Sequence, residues 1–186
     1  MSARLAVVGS INMDLVVRAP RLPRLGETLL GSDFRTFPGG KGANQAVAIA
    51  RMGGKVSMIG RVGQDGFGDA LLETLERDQV DLTYIRRDPE AASGVALITV
   101  EEGGNNAIVV APGANGRLSP EDIWGAEEAI KQAQVLVLQL ECPLETVAEA
   151  IHVAQRHAVP VALNPAPAQP LPDELLRQID VLIPNQ

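Results

Sequence analysis

The densest chemical signal in the chain is Gly39-Gly40-Lys41-Gly42-Ala43-Asn44-Gln45, a glycine-rich run at the start of a helical stretch. Without a Cβ the backbone comes close to a ligand, and φ is free to turn positive. The helix that follows offers unpaired N–H groups and the positive end of its dipole to an oxygen-rich ligand. Asn12, Asp14, Glu141, Asn164 and Asn185 each come just after a short apolar run. Carboxylates accept hydrogen bonds and amides both donate and accept, which suits the hydroxyls of a sugar. Lys41 and Asn44 add donors from the glycine loop. A phosphate loop is the rival reading. It requires a glycine where Arg35 stands and Ser or Thr where Gly42 stands, and fails at both.

Other reactive residue types carry less. His152 and His157 are not three or four apart, so they do not share a helix face and read as surface positions. Cys142 has no histidine near it in sequence and reads as a buried structural thiol. Trp124 reads as a packing residue. Gly63–Gly68 lacks the dinucleotide spacing and reads as a turn leading to a helix capped by Asp65.

The elements that must position these groups alternate between strand and helix. Apolar runs at Leu5–Val8, Val56–Ile59, Val135–Leu140, Val159–Leu163 and Val181–Ile183 predict strands. Helices are predicted at Ala43–Met52, ending at Gly53-Gly54, at Phe67–Arg77, from Ser119-Pro120 to Ala133, from Pro143 to His157, and at Pro172–Ile179. Gly9–Asp14 reads as a turn. This rhythm predicts an α/β fold with a mostly parallel sheet flanked by helices in three layers. Ligands in such folds bind beyond the carboxyl ends of the strands, where the polar residues above fall. Two stretches, about 15–38 and 94–111, have strand-like pieces without helical period. They predict a small β lid, with a hairpin around Glu101–Asn106.

The chain has 186 residues, 46% hydrophobic but only 3% aromatic, so one domain spanning 1–186 with an aliphatic core is expected. The net charge of −7 argues against a nucleic-acid face. No apolar run approaches a membrane span, no signal peptide is visible, and a single cysteine excludes an internal disulfide. Cytoplasm is the expected compartment. The chain stops just after Pro184-Asn185, which predicts that part of the domain is absent.

Together, Gly9-Ser10-Ile11-Asn12-Met13-Asp14, the glycine loop through Ala46, Gln139-Leu140-Glu141, Ala162–Ala168 and Pro184-Asn185 resemble the ribokinases of the phosphofructokinase-B (PfkB) group of carbohydrate kinases. The resemblance runs through the whole chain in order. It implies transfer of the γ-phosphoryl group of ATP to D-ribose, with Mg²⁺ and a monovalent cation such as K⁺. It also implies a homodimer paired through the lids. By resemblance, Asn12, Asp14, Gly39, Gly40, Lys41, Gly42, Asn44 and Glu141 bind the sugar and Asn185 lies near ATP. The family's Gly-Ala-Gly-Asp motif, with the catalytic base, is not in this chain, so no catalytic residue is expected in it and the isolated chain is expected to be inactive. Two other functions stay open: a non-catalytic sugar-binding or dimerising module, and a nucleoside or other sugar kinase of the same family.

Overall fold

The computed structural model describes residues 2–185. Met1 and Gln186, the two ends of the expected domain, lie outside the described residues.

A six-stranded parallel sheet forms the body. Its strands are β1 (Arg4–Val8), β4 (Lys55–Gly63), β5 (Asp81–Asp88), β8 (Val135–Leu138), β9 (Val161–Leu163) and β10 (Val181–Leu182), in the order β10-β9-β8-β1-β4-β5. The chain passes from β1 toward β5 on one side and then returns through β8 to β10 on the other. The crevice at the carboxyl ends of β1 and β8 is therefore a topological switch point.

Alternation along β1 divides the core. Val7 packs with Met58, Val62 and the helices α1 (Lys41–Arg51) and α2 (Gly66–Arg77). Ala6 and Val8 face the other way, onto Leu136, Leu138 and the helices α3 (Pro120–Gly125), α4 (Glu127–Lys131), α5 (Leu144–Arg156) and α6 (Asp173–Leu176). The layers are thus helix, sheet, helix, as expected. Helix starts follow their caps. Asp65 accepts from Gly68 N at 2.7 Å, and Ser119 with Asp122 forms a capping box. Among the described residues no helix is long and apolar enough to cross a membrane.

A second, four-stranded sheet, β3-β2-β6-β7, stands where a β lid is expected and is built from β2 (Asn12–Ala19), β3 (Asp33–Gly39), β6 (Gly94–Glu101) and β7 (Asn106–Ala111); it is called the lid below. β2 and β6 run parallel, and the other pairs antiparallel.

Several boundaries differ from expectation. Asn12 and Asp14 belong to strand β2, not to a turn, because their polar side chains point to a cleft and so break the apolar pattern. Within the stretch 15–38, residues 20–32 form no strand. β5 went unread in the sequence: it is an edge strand, and Asp81, Arg86, Arg87 and Asp88 hide any apolar run. The expected helix from Ser119 to Ala133 divides into α3 and α4 at Ala126. Trp124 is 52% exposed and donates to Glu149 from its ring, so it is not a core residue.

Candidate active site

One cleft of about 1060 Å³ opens at the switch point, between the lid and the carboxyl ends of the strands. Asn12 and Asp14 reach it from β2, Gly40, Lys41 and Asn44 from the start of α1, Glu141 from the end of β8 and Asn185 from beyond β10. A smaller hollow of about 610 Å³ lies at the opposite strand ends, around Arg4, Lys55 and Asp81, away from these groups.

The glycine loop is shaped by close approach. Gly40 has φ 92°, and a Cβ there would lie 2.7 Å from Ser10 O and 2.8 Å from Asn12 N. A Cβ on Gly39 would lie 2.5 Å from the Asp14 carboxylate. Gly42 packs on Gly9, where a Cβ would come within 2.7 Å of backbone. Gly39 and Gly42 do not line the cleft. They let β2 and the loop come together so that Asp14 and Lys41 do. Gly9 in turn makes room for Gln139, whose amide nitrogen donates to Gln45 and whose Oε1, buried with no partner among the described residues, fills the space a Cβ would take.

Glu141 is the hub of the charged groups. Its Oε2 accepts from Ser10 Oγ at 2.5 Å and from Lys41 N at 3.3 Å, and its Oε1 lies 3.6 Å from Lys41 Nζ. Asp14 is half-buried beside this pair. Burial first, and the Glu141 charge second, raise its carboxyl above the ordinary 3.8, with Lys41 acting in the opposite direction. Cys142 follows Glu141 in the cleft wall. Burial, reinforced by Glu141, pushes its thiol up to about 12, so it is not a nucleophile at neutral pH.

Two partners escaped the sequence. Ser10 supports Glu141. Asn115, on the 3₁₀ turn Gly113–Arg117, bonds to Ile11 and to the Asn12 side chain. No pattern marks Asn115, because its partners are about a hundred residues away. Asn164 is placed elsewhere than expected: it donates to Ile183 O at 2.7 Å and to Asn185 Oδ1 at 3.2 Å, holding the end of β10 outside the cleft wall.

The arrangement alternates donors and acceptors around a wide space with two carboxylates and one cation, which fits a neutral polyol. It does not fit a triphosphate: among the described residues Lys41 is the single cationic side chain in the wall, and it is already opposite a carboxylate. Among the described residues no cluster of His, Cys, Asp or Glu could hold a metal ion.

The family model described as pfkB family carbohydrate kinase matches residues 2–186. The chain belongs to the PfkB family of carbohydrate kinases. It is 44% identical over 182 residues to the ribokinase of Bacillus subtilis (strain 168), covering 98% of this chain and 62% of that protein. It is also 44% identical to the deoxyribokinase of Salmonella typhimurium, over 98% of this chain and 60% of that protein. The structure of Arabidopsis thaliana ribokinase complexed with ribose and ATP superposes with a TM-score of 0.86 at 34% identity, over 99% of this chain and 60% of that one. The chain thus spans about three fifths of the length of these relatives. Membership in the family agrees with the helix–sheet–helix architecture and the small second sheet.

Proposed function

We propose that the cleft binds D-ribose, and that the protein carrying this chain is a ribokinase transferring a phosphoryl group from ATP to the sugar. The observation that carries this reading is the convergence of Asn12, Asp14, Lys41, Asn44 and Glu141 on one cleft at the switch point. Asp14 accepts from sugar hydroxyls, Asn12 donates, Asn44 donates and accepts, and Lys41 donates. Glu141 accepts and sets the position of Lys41. Gly40 brings the loop backbone close to the cleft, and Gly39 and Gly42 act indirectly by allowing the approach of Asp14 and of the loop.

Phosphoryl transfer rests on positioning and charge stabilisation. The two carboxylates and the cation of the cleft are engaged with one another and with the sugar. What the family resemblance implies, and we propose, is that the base, the ATP site and the sites for Mg²⁺ and K⁺ belong to the portion of the relatives that this chain does not span. Asn185, beyond β10, lines the cleft and is the residue proposed to lie near ATP. The sugar-binding function is supported independently of catalysis, so a sugar-binding module remains the alternative for the chain alone.

Two lids pair in a homodimer in this reading. On the lid face that carries Asp14, Ile98, Ile108 and Val110 continue the apolar surface at the cleft, and Ile108 is 53% exposed. The other face is backed at its root by Leu15 and Val95 against the α1–α2 core.

An assay coupling ATP consumption to D-ribose, run on the intact protein, tests the activity. Turnover that depends on D-ribose and falls on Asp14→Ala is expected, and turnover indifferent to ribose overturns the proposal. The equal identity to a deoxyribokinase favours 2-deoxy-D-ribose as the second substrate to try.

A further inference from the structure

We infer that Asn115 is the positioning residue of the sugar site: it fixes which way the Asn12 amide faces and sits where three of the four connections between lid and body meet. The inference rests on the ribose reading above.

Asn115 is 1% exposed and Asn12 3% exposed, so their hydrogen bonds are made without competition from water. Asn115 Nδ2 donates to Asn12 Oδ1 at 2.7 Å and to Ile11 O at 3.1 Å, while Asn115 Oδ1 accepts from Ile11 N at 2.9 Å. The side chain therefore clamps the backbone at the start of β2 and engages the Asn12 oxygen. With that oxygen taken, the Asn12 Nδ2 group is the part of the amide left to the cleft, and Asn12 presents a donor to a sugar oxygen.

The same residue sits where the lid roots converge. β2 begins at Asn12, β6 begins at Gly94, and β7 ends at Ala111 just before the turn that holds Asn115. Gly94 leaves no spare room: a Cβ there would lie 2.2 Å from both Asn115 Nδ2 and Asn12 Oδ1. The turn itself is anchored from behind. Ala114 N donates to Ala92 O at 2.8 Å, Arg117 Nε donates to Asp88 Oδ2 at 2.8 Å, and the second Asp88 partner is Arg61 at 3.0 Å. Body, turn and lid thus meet at one buried amide.

A double-mutant cycle on D-ribose affinity, measured by calorimetry on the intact protein, separates this role from general support of the fold. Asn12→Ala and Asn115→Ala are each expected to weaken ribose binding by about tenfold, the scale of one buried hydrogen bond. In the Asn12→Ala background, Asn115→Ala is expected to cost less than about twofold more, because its effect passes through Asn12. Independent, multiplying losses with ribose binding intact in the wild type overturn the inference alone. A wild type that does not bind ribose overturns the functional reading and the inference with it. If Asn115→Ala does not fold, Gly94→Ala parts the same amide pair from β6. It is expected to weaken ribose binding to the same extent and to be non-additive with Asn12→Ala, and unchanged affinity overturns the inference.

Discussion

Lys41 Nζ lies 3.6 Å from Glu141 Oε1, and the backbone nitrogen of the same lysine lies 3.3 Å from Oε2. The glycine loop is therefore joined at its lysine to the end of β8. A loop of this composition would suit a phosphate, but here the backbone N–H and the ammonium both face a carboxylate. Asp14 completes the group, its carboxyl raised first by burial and then by Glu141, with Lys41 opposing.

In the proposed ribose site, that arrangement should make binding acid-sensitive. The carboxylate form of Asp14 is the proposed acceptor of the sugar hydroxyls, and its folded pKa is raised above 3.8 by burial, then by Glu141, against the opposing pull of Lys41. Binding should decline as pH falls through a value above 3.8. Glu141→Gln should move that decline to lower pH, and Lys41→Met to higher pH. Calorimetric titrations of ribose across the acid range check the order. An unchanged midpoint in both variants would contradict it.

The same shift has a stability sign. A carboxyl whose folded pKa lies above its unfolded value disfavours folding when ionised, and that cost is relieved as pH falls. Asp14→Asn should accordingly raise the thermal midpoint at neutral pH while weakening ribose binding. A fall in both would show that Asp14 stabilises the fold.

The glycines differ in what they tolerate. Gly40→Ala combines positive φ with a Cβ 2.7 Å from Ser10 O, and should destabilise by about 1–3 kcal/mol. Gly39→Ala pushes on the Asp14 carboxylate and should weaken ribose binding more than it lowers stability. Gly66 starts α2 with open space around it, so Gly66→Ala should be neutral or stabilising by up to about 1 kcal/mol. Chemical denaturation of the three variants tests this ranking.

Arg61 joins elements behind the site. Its Nε donates to Asp122 Oδ2 at 2.8 Å, with the arginine 10% and the aspartate 7% exposed. Arg61→Met leaves the buried Asp122 carboxylate short of its main partner and should cost about 3 kcal/mol. Burial alone would raise the Asp122 pKa, but Arg61 and the Ser119 N–H hold it below 3.8. Its contribution is complete above 3.8 and is lost as pH falls from there through the lower folded value. Asp122→Asn should therefore flatten the acid limb of the stability curve below about pH 4. An equally steep limb in the variant would count against this.

The proposed pairing of lids is open to a direct measurement. Ile108→Asp places a charge on the exposed apolar face of β7 and should shift the intact protein from dimer to monomer in sedimentation. A protein that stays dimeric would locate the interface elsewhere.

The aliphatic runs and their alternation with capped helices were enough to specify a parallel sheet between helix layers. Val7 against Ala6 and Val8 shows why: each buried strand residue must find a helix on its own face. The glycine loop and the polar strand ends were legible too, because close approach needs glycine and ligand hydroxyls need amides and carboxylates. The charged edge strand β5 was not legible, since its side chains report solvent and ion pairs rather than a core. Nor did sequence order tell which glycines face the cleft: Gly40 does, while Gly39 and Gly42 stand behind Asp14 and against Gly9. The partnerships Ser10–Glu141 and Asn12–Asn115 join positions more than a hundred residues apart. No local periodicity records such pairs, and only the folding of the sheet and lid brings their atoms within hydrogen-bond reach.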